Sequence, residues 1–371
     1  MKKTTIQQPD NRMEWIRNID KLAVSPEDAY FSHYEIASEC KIVGVLDYEA
    51  GKIYCRFLTT EPDSRGLYHY VLRIQHPKVE DLLSINTTKS GYYFKGGEAG
   101  ELIALFSVFF QCRFYLIANY RSIDGDSLGL KSEHDFIYKQ CNPKKHPKIF
   151  DDRERKFFEL PPFLDTVMKL KTELHQCFVL ACSHYSRALK EVSIDSEMVF
   201  IRLVSAVEVL AKNFPLSKKD NPLNGHYLNK LILKEAFTPQ QSQQLREILG
   251  IDSDNKVNIR KSKMSFVKFI CKYSRGYFKG GNWKAKHVII KKEKLSETLV
   301  AIYNARSSYL HNGEPMYLSM FMHDAGKWHT DPSLGMRIGN REFSGSIKLP
   351  YTYWFEDLVR YCLLQYLKSS S

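Results

Sequence analysis

Hydrophobic positions change their period twice along this chain, and each change marks a region. From Met1 to about Asp28 the pattern is mixed, with Met13, Trp15, Ile16, Ile19 and Leu22 spaced for a short helix. Cys40–Leu46, Lys52–Leu58 and Leu67–Ile74 are short runs of β-branched and aromatic residues separated by turn formers such as Gly51 and Gly66, and they read as antiparallel strands. Glu98 to Tyr120 has the densest apolar content, and with Glu98, Glu101 and Arg113 inside it the stretch reads as a buried helix covering that sheet, not as a membrane span. After Pro161-Pro162 the period becomes helical and stays so: Phe163 to Lys190, a helix opening at Asp195-Ser196, shorter helices over 223–236 and 239–249 with Thr238 as a cap, a basic helix around 263–275, Lys291 to His311, and Tyr351 to Leu367. These elements predict an α+β chain: a β-rich domain over 1–150, a linker over 151–162, and an all-α bundle over 163–371.

Composition adds a limit and charge adds a direction. At 371 residues, 43% hydrophobic and 26% charged, the chain is long enough for two cores and apolar enough to fill them. Its eight cysteines lack paired C-x-x-C spacing, and no stretch has the apolar core of a signal peptide or a membrane span, so a reducing cytoplasm is expected. Residues 1–150 have a net charge of +1 and the remainder +11. Between Lys256 and Lys294 thirteen basic residues face one acid, Glu293. Such a field suits a polyanion, with nucleic acid the commonest, although a solvated basic face has the same composition. Lys261, Lys263, Lys268, Lys272 and Arg275 lie within this stretch and are the expected RNA contacts.

Several groups could carry chemistry. Gly96, Gly97 and Gly100 precede an apolar helix, but Glu98 and Glu101 would repel phosphate there, and punctuation accounts for the glycines better. His175, Cys177, Cys182 and His184 share one helix at seven-residue spacings, too far apart for direct ligation of one zinc, and pack best as core. His323, Asp324, His329 and Asp331 fall in the long loop between Gly313 and Pro350, a candidate insertion or cover. His134 and His146 have no partner pattern. Arg306 and His311 differ, because a guanidinium stabilises charge on phosphorus and an imidazole moves a proton near neutral pH, which together could cleave RNA without a metal or cofactor. Five helical residues separate their directions by about 140°, so convergence requires the reach of Arg306 and a loosened helix end at Asn312-Gly313. The same residues also serve as an ordinary C-terminal stop.

Arg306-Ser-Ser-Tyr-Leu-His311-Asn312-Gly313, preceded by Phe200-Ile-Arg-Leu-Val-Ser-Ala-Val-Glu208, resembles HEPN domains, in particular the Apea-like branch, over roughly residues 163–368. The resemblance implies a helical bundle bearing an R-x4-6-H motif, metal-independent ribonuclease activity of the toxin–antitoxin or antiphage kind, and a homodimer in which two motifs share a cleft. It assigns the catalytic pair to Arg306 and His311, an acidic brace to Glu208, and a supporting contact to Asn312. Ser307 stands where many active members have Asn, Asp or His. An antitoxin or a phage-derived trigger is the partner class this resemblance implies, with the β-rich half as sensor. A non-catalytic module that binds RNA, a nucleotide or a protein is the alternative it also allows.

Overall fold

The computed structural model describes residues 12–24, 29–77, 97–123, 126–130, 155–192, 194–212, 214–216, 238–241, 243–244, 261–278, 292–316, 337–338, 341–342, 349–350 and 352–371. The chain divides into two compact units, one formed by Met1–Arg202 with Leu363–Ser371 and the other by Leu203–Cys362.

The first unit is built on a six-stranded antiparallel sheet. Its strands are β1 (Ala29–Ser38), β3 (Leu46–Tyr48), β4 (Ile53–Phe57), β5 (Tyr68–Pro77), β6 (Phe114–Ile123) and β7 (Asp126–Leu130), in the order β3-β4-β5-β1-β6-β7. Short β2 (Ile42–Val43) pairs in parallel with β8 (Arg155–Lys156). On β5, Tyr70, Leu72, Ile74 and His76 are buried while Val71, Arg73 and Gln75 are half-buried, the alternation of a sheet with one face covered. That face is covered by α1 (Glu14–Val24), which packs on β5, and α2 (Gly97–Phe110), which packs on β6. Behind it Phe106, Phe110, Phe114 and Phe157 meet edge to face or tilted, at centroid distances of 5.7 to 6.5 Å, and Tyr70 joins Phe157 at 5.5 Å. The α+β class and the covering helix are therefore as the patterning predicts.

Three details differ from the periodicity. The apolar stretch from Glu98 is not one helix to Tyr120: it stops at Phe110, Gln111 takes a left-handed φ of 54°, and β6 begins at Phe114. The central strand β1 is half polar, so it escapes the strand pattern altogether. Phe163 to Lys190 is two helices, α3 (Pro161–Met168) and α4 (Thr172–Glu191), because Lys171 turns extended (ψ 141°) and the buried His175 ring engages the Leu170 carbonyl at 2.8 Å. Both helices fall in the first unit, where Ser186 of α4 shares a 2.9 Å hydrogen bond with Ser107 of α2. The composition-based linker at 151–162 thus lies inside that unit.

Two buried acidic side chains hold α1 in place. One oxygen of Glu101, 1% exposed, accepts the backbone N–H groups of Glu14 (2.8 Å) and Trp15 (3.3 Å), the open donors at the start of α1. Glu98 accepts a hydrogen bond from Asn18 and sits 3.3 Å from the His76 ring.

In the second unit the buried residues come from α5 (Ser196–Ala211), α6 (Lys261–Tyr273), α7 (Leu295–Asn312) and α8 (Thr352–Ser370): Val204 and Val207, Phe266 and Ile270, Leu299 and Ile302, Phe355 and Leu358. Asp195 caps α5 through the Met198 N–H (3.0 Å), and Thr238 forms a reciprocal capping box with Gln241 (3.0 and 3.3 Å), as expected. Gly276 lies so close to the Tyr361 hydroxyl that a Cβ there would collide with it. No helix among the described residues is long and apolar enough to cross a membrane.

Candidate functional site

Helix α7 carries the Arg-x4-His motif on a backbone that stays helical through Asn312. Gly313 then takes φ 67°, and its N–H and that of Glu314 bond the carbonyls of Tyr309 (3.1 Å) and Ser308 (3.4 Å). This is the left-handed stop that Asn-Gly predicts. The helix end is not loosened before His311, so Arg306 and His311 keep their separation of about 140° around one helix. Arg306 is half-buried, whereas His311 and Asn312 are exposed.

Arg306 points to α5. Its Nη2 donates to Glu208 Oε2 at 2.8 Å, an ion pair spanning 98 residues of sequence with both side chains about one-fifth exposed. The other oxygen of Glu208 accepts the Tyr303 hydroxyl at 2.9 Å, and the Arg306 guanidinium lies 5.8 Å from the Tyr303 ring centroid. Burial, then the charge of Glu208 and the hydrogen bond to it, push the Tyr303 phenol up to about 12, so it remains a donor at neutral pH. Both carboxylate oxygens of Glu208 are therefore engaged, while Arg306 Nε is buried without a hydrogen-bond acceptor. The resemblance implies Glu208 as an acidic partner of the arginine or the histidine, and here it pairs with Arg306; Tyr303 counts in the sequence only as an apolar helix position. Its place three residues before Arg306, on the same helical face, was the available signal.

The basic helix α6 packs along α7. Phe266 meets the Tyr303 ring at 5.5 Å, and Lys263 Nζ donates to Asn304 Oδ1 at 3.0 Å, so this lysine ties the two helices together. Lys268 is half-buried; Lys272 and Arg275 are exposed, with the Lys272 ammonium 5.0 Å from the Tyr273 ring and 5.4 Å from that of Phe214. The side chain of Lys261 lies outside the described residues, as do the remaining basic positions at 256, 260, 279, 284, 286 and 291. His134, His146 and the loop group His323, Asp324, His329 and Asp331 also lie outside them, with most of the helices expected over 223–249.

On α4, Cys182 is fully buried and its thiol is pushed well up by that burial, while His184 is lowered to about 4, first by burial and then by Arg187 and Arg202. Among the described residues no group of three or more His, Cys, Asp or Glu side chains could hold a metal ion. Searches of protein-family models, curated proteins and solved structures find no match to this chain.

Proposed function

We propose that this chain is a HEPN-like, metal-independent endoribonuclease that acts as a homodimer, with Arg306 and His311 as its catalytic pair. The observation that carries the reading is the Glu208–Arg306 ion pair, which fixes the guanidinium from a second helix while His311 stands exposed little more than one turn further on. Because one helix turns the two groups about 140° apart, Arg306 of one protomer and the His311 side chain contributed by a second copy share the scissile phosphate. The ribose 2′-oxygen attacks the adjacent phosphorus as the imidazole removes its proton. A P–O2′ bond forms, the P–O5′ bond breaks, and a protonated imidazole returns a proton to the departing 5′-oxygen. The products are a 2′,3′-cyclic phosphate and a free 5′-hydroxyl. Arg306 holds the charge on the phosphorane, Asn312 orients a ligand oxygen, and Lys272 and Arg275 on α6 draw RNA in.

The effector works in a reducing cytoplasm, where the seven free cysteines among the described residues stay thiols, and the β-rich unit answers to an antitoxin or phage-derived trigger. The test is cleavage of single-stranded and structured RNA by the full chain in EDTA, beside Arg306→Ala and His311→Ala. Cleavage that both variants abolish is expected; no cleavage, or cleavage undiminished in both, overturns the reading. A second reading, a non-catalytic module binding RNA, a nucleotide or a protein, is favoured by the neutralisation of Arg306 by Glu208, and RNA binding without cleavage would select it.

A further inference from the structure

The half-buried face of the sheet holds an arginine that forms no ion pair among the described residues. Strand pairing places Asp47, Tyr54, Arg73 and His33 in one row across β3, β4, β5 and β1, with Phe31 two residues from His33 on the same face. The Arg73 guanidinium lies 4.8 Å from the Phe31 ring centroid and 4.9 Å from that of Tyr54, so two aromatic faces hold it. The acids nearby are used elsewhere. Glu35 engages His69 Nδ1 at 2.7 Å, Asp63 engages Arg65 Nε at 2.8 Å and His69 Nε2 at 3.0 Å, and Glu49 faces Lys52 at 4.0 Å. Asp47, exposed at the far end of the row, forms no ion pair with Arg73 among the described residues. Arg73 Nε is buried and has no acceptor. Beside it His33, its cross-strand partner, has a lowered pKa, through burial first and then through the charge of Arg73.

A cation pinned by rings, paired with no carboxylate among the described residues and set against an imidazole, is a preorganised receptor for one small anion. We propose that this face binds a free nucleotide, its phosphate between Arg73 and His33 and its base against the aromatic side chains flanking the arginine. Two features choose a nucleotide over a nucleic-acid strand: one guanidinium–imidazole pair answers one phosphate, and residues 1–150 have a net charge of only +1, too little to track a polyanion. The aromatic flanks choose it over inorganic phosphate. This site lies in the sheet unit and does not depend on the ribonuclease reading.

The proposal is tested on the full chain by following the His33 ring proton resonance, assigned by its loss in His33→Gln, during additions of AMP, GMP, CMP, UMP, ribose 5-phosphate, inorganic phosphate and an oligouridylate. At least one mononucleotide should bind saturably and raise the His33 pKa, more tightly as pH falls, with ribose 5-phosphate and inorganic phosphate about tenfold weaker. Arg73→Lys, which keeps the charge and loses the planar fork, should weaken it by about tenfold. Thermal melting checks that each variant folds, and if Arg73→Lys does not, loss of nucleotide binding in His33→Gln followed calorimetrically takes its place. Absence of saturable binding by every mononucleotide to about 10 mM, a weak-ligand ceiling, overturns the proposal. So does equal affinity for inorganic phosphate, tighter binding of the oligouridylate, or unchanged affinity in the folded variants.

Discussion

Arg73 and Arg306 are the same side chain in two settings, one in each compact unit, and both lie against a tyrosine ring. Arg306 has a carboxylate at 2.8 Å and a second, weaker hold from Tyr303; Arg73 has two rings at closer range and no ion-paired carboxylate among the described residues. The ion pair fixes direction through a fork-shaped donor, yet it neutralises the charge it fixes. The aromatic clamp fixes position and leaves the charge to be used. A ligand meeting Arg306 must compete with Glu208, whereas a ligand meeting Arg73 displaces no ion pair among the described residues.

That contrast can be broken experimentally, beginning with the largest effect. His311→Ala should lower RNA cleavage by about 10²- to 10⁴-fold, the range for removing a general acid or base, and Arg306→Ala by a similar factor, both read as initial rates on a labelled RNA. Glu208→Gln removes the brace but keeps the hydrogen-bonding shape. It should lower the stability of the chain by about 1–3 kcal/mol in urea melts, because a half-buried guanidinium loses its counter-charge. Arg73→Met, which removes only a cation–π clamp, should cost about 1 kcal/mol or less; equal losses would mean that the two arginines are held alike.

The third measurement concerns acid–base behaviour in the sheet unit. Burial, reinforced by the charges of Glu14 and Glu98 and opposed by the hydrogen bonds from Trp15 and Glu14, pushes Glu101 up from 4.5 to about 8. The folded chain then keeps a proton that the unfolded chain releases, so this contribution to stability is complete below the unfolded value and is lost as pH rises through about 8. The melting temperature of the wild type should fall between about pH 5 and pH 8, and Glu101→Gln should flatten that slope; an unaltered slope would remove Glu101 as its source. The smallest effect is expected from Lys272→Ala with Arg275→Ala, which should reduce the salt dependence of RNA binding by about 0.7 per lost phosphate contact.

Much of this molecule could be read from residue order, and the failures share a cause. Capping at Asp195 and Thr238, the stop at Gly313 and the amphipathic α6 are local, decided within a few residues of sequence, and they were legible. β1 was not, since a half-polar strand flanked by β5 and β6 draws its place from those partners. The break between α3 and α4 depends on one histidine reaching back to a carbonyl, for which no proline or glycine gives notice. At the candidate site, Arg306 and His311 came from a motif and Glu208 from the resemblance, but Tyr303 was hidden by its dual character as an aromatic body with a polar tip. The Arg73 clamp was invisible because its parts come from three strands whose register no sequence pattern records.

The carboxylate of Glu101 at the start of α1 also has a meaning for the order in which the chain acquires structure. An ordinary cap travels with its helix, so the helix can form as soon as it is synthesised. Here the cap arrives from 86 residues later in the chain. Until α2 has settled on the sheet, the first turn of α1 lacks its acceptor and 11 residues are too few to sustain a helix in water. The start of α1 is thus completed by a part of the chain far from it in sequence, and its stability is tied to that of α2.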